Sequence, residues 1–238
     1  MITGPILALE SSTSTGSVAV GDATGVVAEF VRDVAGGHSS ALLPAAEQVL
    51  ASAGLRPRDL AAVVVGGGPG SFTGLRIAAA TAKGMIQALS IPLYSYSGLL
   101  ATAVAAWSAP GEVCALFDAR RRDVFAACYR FGGQTAVEMA MAPDAMSIEA
   151  VIERFRGTEP PLFVGEGALL YREELESALG ARVGPQHLTL PRASALVWLA
   201  STVPAMGEVA DPAEWEPAYL RASGAERIAA RAAAEAGR

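Results

Sequence analysis

The chain has 238 residues, 52% of them hydrophobic and 18% charged, with a mean hydropathy of +0.35, which excludes an intrinsically disordered protein and suits one large or two small domains. Its net charge of −6, from 18 basic and 24 acidic residues, argues against unaided binding to nucleic-acid phosphates. Two cysteines and two histidines supply neither a disulfide framework nor an ordinary zinc site.

The start, MITGPILALESS, reaches Glu10 with no basic segment before it, so nothing there directs export and the cytoplasm is the expected location. Residues 6 to 20 read as an apolar strand, a Ser/Thr turn ending at Gly16 and a second strand, with a third over residues 26 to 32. A helix follows, with Ser39 or Ser40 as cap, apolar residues at Leu42, Ala46, Val49 and Ala53, and Gly54 as its stop. LAAVVV, residues 60 to 65, suits a strand buried on both faces. The loop GGGPGSFTG then leads into a helix over residues 75 to 89, and IPLYSYS and LLATAVAAW read as strand and helix. The uncharged stretch 84 to 111 is broken by Pro92, Gly98 and Pro110 and fails as a membrane span.

From residue 113 the order repeats. VCALFDA and VFAACYRF form a hairpin around RRRD, TAVEMAMA is a third strand, and Ser147 caps a helix SIEAVIERF. PLFVGEG is a strand with a glycine turn, and LYREELESAL and RASALVWLASTV are amphipathic helices. Three strands, helix, strand, helix therefore occur twice, with a boundary near residues 108 to 111. Each half ends its first strand on a carboxylate, Glu10 and Asp118.

Several groups invite chemistry. The loop from Gly66 to Gly74 can bring backbone N–H groups to a phosphate, but it is followed by no Lys-Ser/Thr pair, and the alternative is a tight turn that lets strand and helix pack closely. The next helix is apolar over most of its circumference, with one polar stripe of Arg76, Lys83 and Gln87, and so packs on more than one side. Either a core or a protein interface supplies the second contact. Glu10 and Asp118 can flank a cleft as bases, or simply accept N–H bonds in their turns. Hairpin symmetry about Arg121 sets Cys114 opposite Cys128, where two buried thiols are expected rather than a disulfide. His38 and His187 form no HExxH pair.

ILALESSTSTGSVAV, HSSALLPAAEQVL, GGGPGSFTGLRIAAATAKGM, DARRRDVFAACY, VGEGA and the terminal PAYLR together resemble the TsaB family, in the glycoprotease-like branch of the actin, hexokinase and heat-shock ATPase superfamily. The resemblance runs from about residue 6 to 221. It implies an α/β fold of two duplicated actin/hexokinase-like (ribonuclease H-like) lobes, residues 1–110 and 111–222, with a weakly ordered tail at 223–238. It implies a noncatalytic subunit that pairs with the catalytic paralogue TsaD and, with the ATPase TsaE, supports transfer of threonylcarbamoyl to the adenosine beside the anticodon of tRNA, meeting tRNA only through the complex.

In that family two helices, here about 40–53 and 73–89, form half of a four-helix bundle with the paralogue. The expected interface residues are accordingly Leu42, Leu43, Ala46, Val49, Leu75, Arg76, Ala79 and Lys83. The paralogue's metal-binding HxxxH is missing, because His38 is followed by Leu42, so no catalytic or metal residue is expected. Phosphate contacts, if this chain makes any, fall to Glu10, Ser11, Ser12, Gly70 and Ser71. No cofactor is expected within the chain, an ATP site at the interface of the complex stays open, and the same apolar helices leave both a homodimer and a monomer open without the paralogue. An ATP-dependent kinase or ATPase of the same superfamily is the competing reading.

Overall fold

A computed structural model describes residues 2–33, 42–133 and 136–221. The expected caps at Ser39 or Ser40, His38 and the tail at 223–238 lie outside the described residues.

The first half builds a five-stranded sheet in the order β3-β2-β1-β4-β5 from β1 (Ile6–Glu10), β2 (Thr15–Asp22), β3 (Gly25–Asp33), β4 (Ala62–Gly66) and β5 (Leu93–Tyr96). The second sheet, in the order β10-β9-β6-β7-β8, comprises β6 (Glu112–Asp118), β7 (Asp123–Gly132), β8 (Ala136–Ser147), β9 (Leu162–Val164) and β10 (Arg182–Val183). In each sheet the first strand pairs antiparallel with its hairpin partner and parallel with the strand reached through a helix, so the two halves share one topology. These are the two duplicated α/β lobes that the repeated element order implies.

The period of two along each strand sorts the core into layers. Ile6, Ala8, Ala19, Ala62 and Val64 point to the centre of the molecule, while Leu7, Leu9, Val18, Val20, Val63 and Val65 point outward. The outward set is covered by α1 (Leu42–Ser52) and α2 (Phe72–Leu89). The second sheet does the same: Val113, Ala115, Phe117, Ala127 and Tyr129 face the centre, and Cys114, Leu116, Val124, Ala126 and Cys128 face α4 (Ile148–Phe155), α5 (Glu166–Leu170) and α6 (Arg172–Leu179). Between the sheets lie α3 (Gly98–Ala103) and α7 (Ala193–Thr202). The order is helix, sheet, helix, sheet, helix, and the small residues on the central faces let both sheets close on one shared helical layer.

Local chemistry explains where elements start and stop. α2 begins at Phe72, ahead of the expected Leu75, because the Ser71 side chain accepts the N–H of Gly74 at 3.3 Å and caps it. Ser147 caps α4 as expected, accepting from the N–H of Ala150 at 3.1 Å. LYREELESAL, expected as one helix, begins only at Arg172, since Tyr171 leaves helical geometry and separates α5 from α6. β8 runs to Ser147, beyond the expected TAVEMAMA, and keeps pairing with β7 through two register shifts. Cys114 and Cys128 are direct cross-strand partners, both buried free thiols, and burial pushes the Cys114 thiol up and keeps it protonated.

α7 follows the second sheet in sequence yet packs on β1, β2, β3 and β4 of the first. Its N-terminus has no cap of its own and is held instead by Glu29 of β3. Glu29 Oε1 accepts from Ser194 N at 3.1 Å, Ser194 Oγ at 2.9 Å and Ser17 Oγ at 3.0 Å, and Ser17 Oγ accepts from Ala193 N at 3.0 Å. A short 3-10 helix, Gln186–Leu188, carries His187 ahead of this junction. Replacing Glu29 by Ala removes the acceptor for this helix start and should cost about 1–2 kcal/mol in urea unfolding, with loss of little more than a tenth of that for a distant surface control such as Glu159→Ala.

Candidate functional site

β1 delivers Glu10 to a fully buried position beside the end of β4. Glu10 Oε1 accepts from Ser12 N at 2.6 Å and Ser12 Oγ at 2.5 Å, while Oε2 has no partner among the described residues. A β-carbon on Gly66 would collide with this carboxyl, so glycine there is what leaves room for it. Burial pushes the Glu10 carboxyl up, against the lowering effect of the bonds from Ser12 and Ser11.

The glycine loop closes over the same point. Ser71 N donates to Ser12 O at 2.7 Å, Ser11 Oγ to Gly74 O at 2.8 Å, and Gly67 N to Tyr96 O at 2.7 Å. Gly70, at φ +157, and Gly98 pass so close to Ser12 that neither has room for a side chain. Ala218 N donates to Gly67 O at 2.7 Å from the other side. Glu10, Ser11, Ser12, Gly70 and Ser71, the expected phosphate contacts, are thus brought together around a buried carboxyl, with Ser11, Ser12 and Ser71 bonded to Glu10 or to the loop and Gly70 in close approach to Ser12. The N–H groups of Gly67, Ser71 and Gly74 are engaged, and the group at the centre is an acid.

Asp118 ends β6 as Glu10 ends β1, and it too serves its own turn, accepting from Arg120 N at 2.8 Å and pairing with the Arg120 guanidinium at 3.4 Å. Half-buried Glu166, at the glycine turn after β9, is pushed up by burial and by the charge of Asp118. VGEGA was the only sequence signal for it. Arg120, Arg121 and Arg122 occupy the left-handed region at φ 67, 58 and 65, a conformation costing about 1–2 kcal/mol for each non-glycine residue. Arg122 is held by Glu149 and Glu174, both at 2.7 Å.

The two helices expected to meet a partner divide cleanly by burial. Leu42, Ala46 and Val49 of α1 and Leu75 and Ala79 of α2 are buried inside this chain, so the core accounts for their apolar character. Lys83 reaches Ala213 O at 2.9 Å and the Arg76 guanidinium lies 3.9 Å over the Phe72 ring, both toward the C-terminal segment. What faces outward is Leu43, 52% exposed, with Pro44 and Glu47 on α1, and Thr73, Ala80, Gly84 and Gln87 on α2. A β-carbon on Gly84 would meet nothing within 4 Å. Ala80 and Gly84, four residues apart, lie on one face of α2, where small side chains permit close helix approach.

Residues 13–229 match the family model described as "TsaD: tRNA N6-adenosine threonylcarbamoyltransferase". The chain is 30% identical to the tRNA threonylcarbamoyladenosine biosynthesis protein TsaB of Bacillus subtilis, across 93% of this chain and 96% of that protein. The chain belongs to the TsaB family. The TsaB of Escherichia coli is 30% identical across 91% of this chain and 94% of its own length. Among solved structures, YeaZ from Pseudomonas aeruginosa superposes with a TM-score of 0.79 at 29% identity, covering 92% of this chain and all of that one. The TsaB-family relationship spans both lobes, so the glycine loop, the outward faces of α1 and α2 and the arginine turn all lie within the matched length. No described helix is long and apolar enough to cross a membrane.

Two measurements test the account of Glu10. A carboxyl raised above its ordinary value contributes stability that is complete in acid and declines as pH rises through its folded-state value. Thermal unfolding from pH 4 to 9 should therefore show Glu10→Gln gaining on the unmodified chain as pH increases; parallel curves would refute a raised Glu10. Gly66→Ala forces a methyl into the carboxyl and should cost about 1–3 kcal/mol at neutral pH.

Proposed function

We propose that this TsaB-family chain is the noncatalytic subunit of the machinery that places threonylcarbamoyl on the adenosine beside the anticodon of tRNA, and that it works by presenting the outward face of α1 and α2 to a TsaD-family partner. The observation carrying this reading is the exposed face of the helix pair, where small outward residues of α2 leave room for another helix beside Leu43 of α1. Ala80 and Gly84 permit close interhelical approach, and Leu43 offers an apolar knob beside them. Catalysis then belongs to the partner, TsaE supplies ATPase function, and ATP is bound at the interface of the complex rather than by the Glu10 loop. A net charge of −6 fits a subunit that meets tRNA through the assembly. The same face pairs two copies when the partner is absent. A kinase reading would need free phosphate donors, and the N–H groups of Gly67, Ser71 and Gly74 are engaged by Tyr96 O, Ser12 O and Ser71 Oγ.

Incorporation of labelled threonine into tRNA, with this chain, TsaD, TsaE, ATP and bicarbonate, tests the proposal. Omitting this chain should abolish incorporation, and the chain alone should give none; incorporation that survives its omission would overturn the reading. Leu43→Asp and Ala80→Arg, on exposed positions, should weaken TsaD binding at least tenfold while changing stability by no more than about 0.5 kcal/mol. Ala79→Arg, one residue away but buried, should instead unfold the chain.

A further inference from the structure

After α8 (Pro204–Gly207), residues 208–221 run across both lobes. Their first part lies along α2: Ala213 O accepts from Lys83 Nζ at 2.9 Å, and half-buried Trp215 packs against the core that α1 and α2 cover. The Tyr219 ring then sits 5.0 Å from Phe72, with the Arg76 guanidinium 3.9 Å from Phe72 and 6.0 Å from Tyr219. Two residues later the segment reaches the other lobe. Arg221 Nη1 donates to Ala119 O at 2.7 Å and Nη2 pairs with Asp123.

Ala119 and Asp123 are the two shoulders of the turn in which Arg120, Arg121 and Arg122 all hold positive φ. Left-handed geometry in successive non-glycine residues persists only where the surroundings over-determine it. Most of the restraints here are local to the second lobe: Asp118 on Arg120, Glu149 and Glu174 on Arg122, and Ile148 N donating to Arg122 O at 3.0 Å. Arg221 is the restraint that arrives from the segment lying against α2.

We propose that residues 211–221 act as a mechanical link between α2 and the arginine turn: the Phe72–Tyr219 stack sets the position of Arg221, and Arg221 holds the turn in its left-handed form. Arg221 is a positioning residue, working through Ala119 and Asp123. The functional consequence rests on α2 being the partner-facing helix. A protein seated beside Arg76 and Phe72 would then alter how Arg120 and Arg121 are presented on the other lobe, without touching them, by shifting the strap that restrains the turn.

Amide hydrogen exchange on the full chain, read for residues 119–124 with β1 and β4 as internal reference, tests the link. Arg221→Ala and Tyr219→Ala should each speed exchange in 119–124 by about tenfold or more while the reference strands stay within about twofold. Arg221→Lys should fall between, since lysine keeps a charge beside Asp123 but lacks the fork that also reaches Ala119. Tyr219→Ala is decisive because Tyr219 stacks on Phe72 at the α2 end of the strap. Turn exchange unchanged in that variant, or a rise of equal size in β1 and β4, would overturn the proposal. The chain is measured alone, so failure here leaves the partner-binding reading standing, and loss of TsaD binding in Leu43→Asp leaves the strap standing.

Discussion

The lack of room for β-carbons around the end of β1 governs much of the rest. Gly66 yields space to the Glu10 carboxyl, Gly70 and Gly98 to Ser12, and Gly68 to the carbonyl of Ala218. Four separate stretches of chain can therefore converge on one point and bond through their backbones. Any side chain at these glycines would push β1, the loop or the C-terminal strap aside, and α2 would lose the anchor at its N-terminus. The glycine run lets these stretches pack closely.

That packing is consistent with the supporting role proposed above. The positions that end the first strands of both lobes retain carboxylates, but Glu10 is enclosed and Asp118 is bonded within its own turn. Meanwhile α1 and α2 cover the outer face of the first sheet with Leu42, Val49, Ala78 and Ile86 and still carry an outward stripe of small residues. The exposed helix face and the enclosed carboxyl are two results of the same close packing.

Much of this was legible from residue patterns. Strand period, the repeated order of elements, the Ser147 cap and the Cys114–Cys128 register all follow from local rules that the tertiary structure does not contest. The inner and outer residues of α1 were not separable, since Leu42 and Leu43 have the same chemistry and differ only in which way the helix is rotated against the sheet. Nor does an amphipathic pattern name the surface it will cover, which is why α7 could not be assigned to the first sheet. The strap carries no periodicity at all; Tyr219 and Arg221 gain meaning only from Phe72 and Asp123, which are remote in sequence.

The position of α7 bears on how the chain is made. Ile6, Ala8, Ala19 and Val64 emerge early in synthesis, yet Leu196, Val197 and Leu199, which cover that face, come nearly last. Until then the apolar side of the first sheet has no permanent partner, and contacts of such long sequence separation are slow to form. A ribosome-bound intermediate with an open sheet face is a natural client for chaperones. The lobe whose strands are synthesised first is thus the one completed last.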